Sequence, residues 1–251
     1  MRVFGLIGFP LSHSFSKKYF GEKFLREQIP DCRYEAFELS SIDQVSDLIK
    51  NEPPLQGFNI TIPYKQEIIP FLHKASKVVK QIGACNCVKI VDQQLIGYNT
   101  DVEGFKQSLQ KKLLPVHKQA LVLGTGGAAK AVAYVLEEAG ISYQYVSRNK
   151  AQRTGYLHYD QVDDEVLRTH LLIINTTPTG MYPRIDEAPA LNYEALTPQH
   201  FLFDLTYNPE KTLFLQKGES RGAAIQNGYD MLVIQAEESW KIWNTALEEL
   251  S

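Results

Sequence analysis

Residues 120–130 read Ala120, Leu121, Val122, Leu123, Gly124, Thr125, Gly126, Gly127, Ala128, Ala129, Lys130. An apolar run suited to a buried strand passes into a glycine turn, and the stretch Lys130 to Ala139 beyond it is rich in helix formers. A dinucleotide-binding turn asks for one glycine to make the tight bend, one where backbone meets pyrophosphate, and a small third residue where helix packs on sheet. Gly124, Gly126 and Ala129 meet those three demands. The pyrophosphate of such a ligand rests on the helix N-terminus, where free N–H groups and the helix dipole favour negative charge.

The next expected strand, Ser142 to Val146, ends about twenty residues on, where an NAD site offers Asp or Glu to the ribose hydroxyls. Here the chain reads Ser147, Arg148, Asn149, Lys150. With no carboxylate present, a guanidinium and an ammonium suit a ribose phosphate, so NADP is expected rather than NAD. A glycine turn alone also serves as a purely structural left-handed bend; the basic strand end separates the two readings.

Around this centre, strand-like and helix-like segments alternate, the pattern of α/β architecture. Strands are expected at Val3 to Gly8, Tyr34 to Phe37 and Gly57 to Ile62, with Cys85 to Val91 and Gln94 to Tyr98 paired near Asp92 and Gln93. Helices are expected at Lys17 to Gln28, Ile42 to Lys50, Tyr64 to Leu72 and Asp101 to Leu113. Later strands fall at Leu171 to Ile174, Phe201 to Leu205 and Ala223 to Gln226. A final helix, Tyr229 to Leu250, carries Leu232, Ala236, Trp240, Trp243 and Leu247 at helical spacing and is expected to cross back to the first domain. The architecture is therefore two α/β domains flanking a cleft: residues 1–113 with 229–251, and a Rossmann-type domain over 114–228.

The 251 residues, 44% hydrophobic, are enough for two modest cores. A net charge of -3 offers no attraction to nucleic acid or anionic membrane. Cys32, Cys85 and Cys87 have no metal-ligand spacing and no even disulfide count, which points to a reducing compartment, the cytoplasm. Gly5, Gly8 and Pro10 break the first apolar run, so a buried strand is expected there rather than a secretory leader. Monomer and homodimer remain equally compatible with the sequence.

Three polar clusters suggest chemistry. In Gly57 to Lys65, alternation sends Phe58, Ile60 and Ile62 to one face and Asn59 and Thr61 to the other. Pro63 suits a first helical position, and this would place Lys65 in a helical turn whose field lowers an amine pKa. Asp101, after Asn99 and Thr100, either caps the following helix or, if Thr100 and Glu103 form a capping box, points its carboxylate into a cleft. Next to Lys65 that carboxylate opposes the helix field, and the net pKa of the pair stays open. Ser12, His13, Ser14 and Ser16 precede the first helix: one serves as its cap, and further hydroxyls suit a substrate carboxylate. Asn86 is set opposite Cys85 and Cys87, and Gln235 sits beside the apolar stripe of the last helix, its partner either substrate or backbone.

Taken together, these segments resemble the shikimate dehydrogenase family from the first strand to the last helix. The motifs stand as Gly8, Pro10, Ser12, His13, Ser14 and Ser16; Asn59, Thr61, Pro63 and Lys65; Gly83, Ala84 and Asn86; Asn99, Thr100, Asp101 and Gly104. The second half adds the glycine turn, Asn175 with Thr177, Pro178, Gly180 and Met181, Asp204 with Tyr207, Asn208 and Pro209, then Gly228, Met231, Leu232 and Gln235. The resemblance implies reversible NADPH-dependent reduction of 3-dehydroshikimate to shikimate in aromatic amino-acid biosynthesis, with Lys65 and Asp101 as catalytic pair. It implies substrate contacts from Ser14, Ser16, Thr61, Asn86, Asp101, Tyr207 and Gln235. It also sets Gly126, Gly127 and Ala128 at the pyrophosphate, with Gly124 in the cofactor-binding turn, Ser147, Arg148, Asn149 and Lys150 at the ribose phosphate, and Leu205 and Gly228 near the nicotinamide; no metal is implied. Tyr19 and Phe20 replace a frequent His and Asn, Cys87 a frequent Thr, and Ser147 a frequent Asn. Two alternatives stand beside this reading: a quinate/shikimate dehydrogenase of broader substrate or NAD use, and a non-catalytic NADP-sensing protein, which retention of Lys65 and Asp101 disfavours.

Overall fold

The computed structural model describes residues 1–11, 15–52, 54–148 and 154–246. The first part of the chain forms β1 (Arg2–Gly8), α1 (Phe15–Arg26), β2 (Cys32–Glu38), α2 (Val45–Asn51), β3 (Leu55–Ile60), β4 (Lys74–Ala75), α3 (Lys77–Ile82), β5 (Cys87–Val91), β6 (Gln94–Tyr98) and α4 (Asp101–Gln110). There follow β7 (Gln119–Leu123), α5 (Gly127–Glu138), β8 (Ser142–Ser147), β9 (Tyr156–His158), α6 (Asp164–Thr169), β10 (Leu172–Asn175), β11 (Phe201–Asp204), α7 (Leu213–Glu219), β12 (Ala224–Gln226) and α8 (Tyr229–Asn244). They make two compact units, Met1–Thr100 with Ala236–Ser251, and Asp101–Gln235.

The first unit is built on a mixed sheet in the order β2-β1-β3-β5-β6-β4. β1 runs parallel to β2 and β3, whereas β5 is antiparallel to both β3 and β6. The β5–β6 hairpin turns on Asp92 and Gln93, whose φ values of 48° and 62° are those of the two-residue turn that matches strand twist. Both faces of β3 are covered, so Asn59 is as buried as Phe58 and Ile60, and its amide is satisfied by hydrogen bonds rather than water. Ile62 lies beyond the end of β3 and is exposed, not in the core face that alternation assigns it.

The second sheet is wholly parallel, in the order β12-β11-β10-β7-β8-β9. Counted from β7, this is the doubly wound dinucleotide arrangement, in which strand order reverses between β7 and β10 and ligands bind beyond the carboxyl ends. Leu121, Leu123, Ile173 and Leu202 supply its buried core, the near-continuous apolar strands that a sheet covered on both faces requires.

The units part at Thr100/Asp101 and at Gln235/Ala236, rather than near residues 113 and 229. Packing gives the reason. Within the second unit α4 is held by a Phe105–Phe203 edge contact at 5.1 Å and by Gln226 donating to Ser108 at 2.8 Å. The end of α8 is held in the first unit, where Trp243 stacks on Phe4 at 4.8 Å and its indole N–H donates to the Val88 carbonyl.

A helix over Tyr64 to Leu72 does not form. The Lys65 carbonyl, which such a helix would give to Ile69, accepts from Cys85 N–H at 2.7 Å, while Ile69 N–H turns to Gln66. Turns and a short 3-10 segment, Ile69–Phe71, result. Lys65 therefore lies in a turn and not in the first turn of an α-helix. Helices α3, α6 and α7 and strands β4 and β9 are additions to the elements read from sequence; each is seven residues or shorter.

Candidate active site

In the first unit, polar side chains nine-tenths buried or more are joined in one chain. The Ser16 hydroxyl, in α1, is hydrogen-bonded to the Tyr34 phenol, which donates to Asn59 Oδ1 at 2.9 Å. Asn59 Nδ2 donates to Ser239 Oγ at 2.8 Å, and Ser239 Oγ lies 3.2 Å from Thr100 Oγ1. Thr100 closes the chain on Asn86, whose Nδ2 donates to Thr100 Oγ1 at 3.0 Å and whose Oδ1 accepts from Thr100 N–H at 2.7 Å. Burial holds the Tyr34 phenol well above its ordinary pKa, so it stays a neutral donor. Two of the expected substrate contacts, Ser16 and Asn86, are thus set by the same network. Tyr34 and Ser239, its middle members, carry no motif signal and were legible only as a strand residue and a helix residue.

Thr61 follows β3 and is half-buried, its N–H donating to the Ile7 carbonyl at 3.0 Å. Lys65 is half-buried in the turn beyond it. Ser14 lies outside the described residues. The substitutions at residues 19 and 20 have a local account: the Tyr19 hydroxyl donates to Glu237, and Phe20 stacks on Tyr34 at 4.5 Å inside the core.

In the second unit, Asp101 opens α4 and is buried. The reciprocal half of the expected capping box is not made, because Thr100 N–H goes to Asn86 and Glu103 accepts from Gln107. Three residues on, on the same helix face, Gly104 lets α8 approach: a Cβ there would meet the Met231 carbonyl at 2.7 Å and Gln235 Cβ at 3.2 Å. Gln235 is buried at this crossing and donates to the Leu232 carbonyl at 3.0 Å, so backbone satisfies one of its amide groups. Tyr207 borders a groove of about 1060 Å³ together with Lys111, Lys211 and Tyr229, and burial raises its phenol pKa.

Leu205 and Gly228 come together. Gly228 N–H donates to the Thr206 carbonyl at 3.1 Å, and a Cβ on Gly228 would lie 2.0 Å from the Leu205 carbonyl oxygen. Only glycine fits that contact.

A cavity of about 590 Å³ opens at the carboxyl ends of β7, β8 and β10, lined by Gly124, Thr125, Gly126, Ser147, Arg148 and the corner Thr176–Thr179. It fits a dinucleotide on three observations. Gly124 has φ 107°, and a Cβ there would strike Thr176 Oγ1 at 2.7 Å, so the turn requires glycine. Gly126 has open space where a Cβ would point, leaving its backbone accessible. Gly126 also serves as the N-cap of α5 without a side-chain cap bond, so Gly127 and Ala128 begin a twelve-residue helix whose first N–H groups suit an anion. Arg148 supplies positive charge in the wall; Asn149 and Lys150 lie outside the described residues. His158, Tyr159 and Arg184 also line this cavity and were not anticipated. The signal for His158 is spatial: β9 pairs with β8, setting His158 beside Ser147, and its Nε2 lies 3.1 Å from the Arg148 carbonyl.

Among known proteins, a family model described as the shikimate dehydrogenase substrate binding domain matches residues 6–88. A shikimate dehydrogenase (NADP(+)) of Caldicellulosiruptor saccharolyticus is 37% identical over 97% of this chain and 92% of its own length. Among solved structures, a chorismate mutase/shikimate 5-dehydrogenase fusion protein from Clostridium acetobutylicum aligns with a TM-score of 0.86 at 32% identity, covering 100% of this chain and 94% of the other. The shikimate 5-dehydrogenase of Thermus thermophilus, solved in complex with NADP(H) and shikimate, aligns with a TM-score of 0.85 at 29% identity, covering 97% and 94%. Sheet order, glycine turn and these likenesses along nearly the whole sequence agree: the chain belongs to the shikimate dehydrogenase family.

Proposed function

We propose that the protein is an NADP-dependent shikimate dehydrogenase that interconverts 3-dehydroshikimate and shikimate. The observation that carries this reading is the cavity at the glycine turn with Arg148 in its wall, in a chain 37% identical to a shikimate dehydrogenase (NADP(+)). NADP, when bound, supplies or accepts the hydride at the reacting ring carbon. The chain's own groups bind, orient and move a proton. Gly124 makes the tight bend of the cofactor-binding turn, Gly126, Gly127 and Ala128 hold the pyrophosphate, and Ser147, Arg148, Asn149 and Lys150 hold the ribose phosphate. Leu205 and Gly228 set the nicotinamide position.

For the substrate, Ser14 and Ser16 take the carboxylate, and Thr61, Asn86, Asp101, Tyr207 and Gln235 take the hydroxyls. Lys65 and Asp101 form the catalytic pair, taking the proton from the reacting hydroxyl oxygen on oxidation and returning it to the carbonyl oxygen on reduction. Preset donors such as Asn86, fixed by Thr100, favour one orientation of the ring. Three free cysteines, Cys32, Cys85 and Cys87, suit a cytoplasmic enzyme.

The test is absorbance at the reduced-nicotinamide band, with shikimate or quinate offered to the purified chain with NADP or NAD. Shikimate with NADP should give the highest kcat/KM of the four pairs. Preference for quinate or for NAD would favour the broader dehydrogenase, and no turnover with any pair would favour a non-catalytic NADP-binding protein.

A further inference from the structure

Asp204 is fully buried at the carboxyl end of β11, in one register row with Asn175 of β10 and Leu123 of β7. Its carboxylate gathers donors from three segments, with Thr206 giving both its N–H and its hydroxyl. Oδ1 accepts from Asn175 Nδ2 at 3.1 Å and from Thr206 N–H at 3.0 Å, and Oδ2 accepts from Thr212 Oγ1 at 2.6 Å. A carboxylate with no ion pair among these contacts is costly to bury, and an apolar residue of the same size would strand these donors.

The donors lead to the cofactor cavity. Asn175 Oδ1 accepts from Thr177 N–H at 3.0 Å and Thr177 Oγ1 at 2.6 Å, and its Nδ2 also reaches the Thr179 carbonyl at 3.3 Å. Thr176 is bound to the Leu123 carbonyl through both its hydroxyl, at 2.7 Å, and its N–H, at 2.9 Å. Residues Thr176 to Thr179 are therefore a fixed corner in the cavity wall, and Gly124 packs directly against Thr176 and Thr177. On the other side, Thr206, whose N–H binds Asp204, offers its carbonyl to Gly228 N–H, so the carboxylate also anchors the turn from Leu205 to Tyr207.

We propose that Asp204 is a positioning residue for the dinucleotide, acting through Asn175 on the Thr176–Thr179 corner and through Thr206 on the Leu205–Gly228 contact. It touches neither substrate nor the reacting atoms. The proposal rests on the cofactor reading above.

The experiment measures NADPH dissociation constants by nicotinamide fluorescence in the whole chain, for the wild type, Asp204→Asn, Asp204→Ala and Asn175→Ser. Circular dichroism checks folding at the same temperature. Asp204→Ala should weaken NADPH about tenfold or more, whereas Asp204→Asn, which keeps an oxygen for Asn175 and Thr206, should stay within about threefold. Asn175→Ser leaves Asp204 its donors from Thr206 and Thr212 but cuts the link to Thr177 and Thr179, and should weaken NADPH several-fold. A folded Asp204→Ala or Asn175→Ser chain that binds NADPH as the wild type does would overturn the proposal; if Asp204→Ala does not fold, Asn175→Ser decides alone. Failure of the wild type to bind NADPH would instead overturn the cofactor reading, and this proposal with it.

Discussion

Gly228 lies so close to Leu205 that a methyl group on its α-carbon would sit 2.0 Å from the Leu205 carbonyl oxygen. The partner atom is backbone, so it cannot swing aside as the end of a flexible side chain could. Gly228→Ala must push the segment before α8 away from the turn after β11. Overpacking of this kind costs about 1–3 kcal/mol, and here the displacement falls on the proposed nicotinamide side. Thermal melting should show the loss, and kcat should drop more than the KM for shikimate rises. Unchanged kcat would mean that the contact is structural only.

Arg148 lines the cavity at the end of β8, where a ribose phosphate is expected. Arg148→Ala should raise the KM for NADPH by about tenfold or more and leave that for NADH nearly unchanged, because only NADPH carries the phosphate. Equal effects on the two coenzymes would remove the assignment. Steady-state kinetics with each coenzyme at saturating 3-dehydroshikimate decides it.

Burial pushes the Asp204 carboxyl up to about 6 from 3.8, partly offset by its donors Thr212, Thr206 and Asn175. A carboxyl whose folded pKa is raised holds its proton longer in the native state than in the unfolded chain. The resulting stability is fully present below about pH 4 and is lost as pH rises through about 6. Asp204→Asn removes this dependence. Its stability relative to the wild type should therefore increase between pH 4 and pH 8 by about 2–3 kcal/mol, seen in urea denaturation at several pH values. A constant difference across that range would show that the carboxyl titrates as it does in the unfolded chain.

Tyr34 joins Ser16 to Asn59 inside the first unit. Tyr34→Phe leaves Asn59 Oδ1 without this donor at a buried site, a loss of about 1–2 kcal/mol in stability. Because the same chain reaches Asn86, the KM for shikimate should rise more than kcat falls, while NADPH binding stays as in the wild type. An unchanged KM would confine the network to folding.

The glycine turn carried the second unit's fold because its demands are local: a positive φ at Gly124 and an open backbone at Gly126 depend on no distant residue. The apolar strands around it were legible for a related reason, since a parallel sheet buried on both faces leaves near-continuous hydrophobic runs. The helix expected around Lys65 fails because a proline followed by helix-compatible residues gives no sign that Cys85 will claim the Lys65 carbonyl. The same limit applies to Asn59 and Ser239, 180 positions apart, whose hydrogen bond no local pattern encodes. His158 and Arg184 escaped notice because they enter the cavity wall from outside the glycine-turn motif, His158 on a three-residue strand. Unit boundaries moved for a comparable reason: helix periodicity marks α4 and α8 but does not say which sheet they cover.

Lys65 and Asp101, acting as one proton-transferring pair, are the centre of the proposed chemistry. The most direct measurement is turnover by Lys65→Ala and Asp101→Asn with shikimate and NADP, alongside NADPH binding to the same proteins. Each variant should lose roughly a hundredfold or more in kcat while binding NADPH as the wild type does. Near-normal turnover in either variant, with the coenzyme bound, would contradict the assignment.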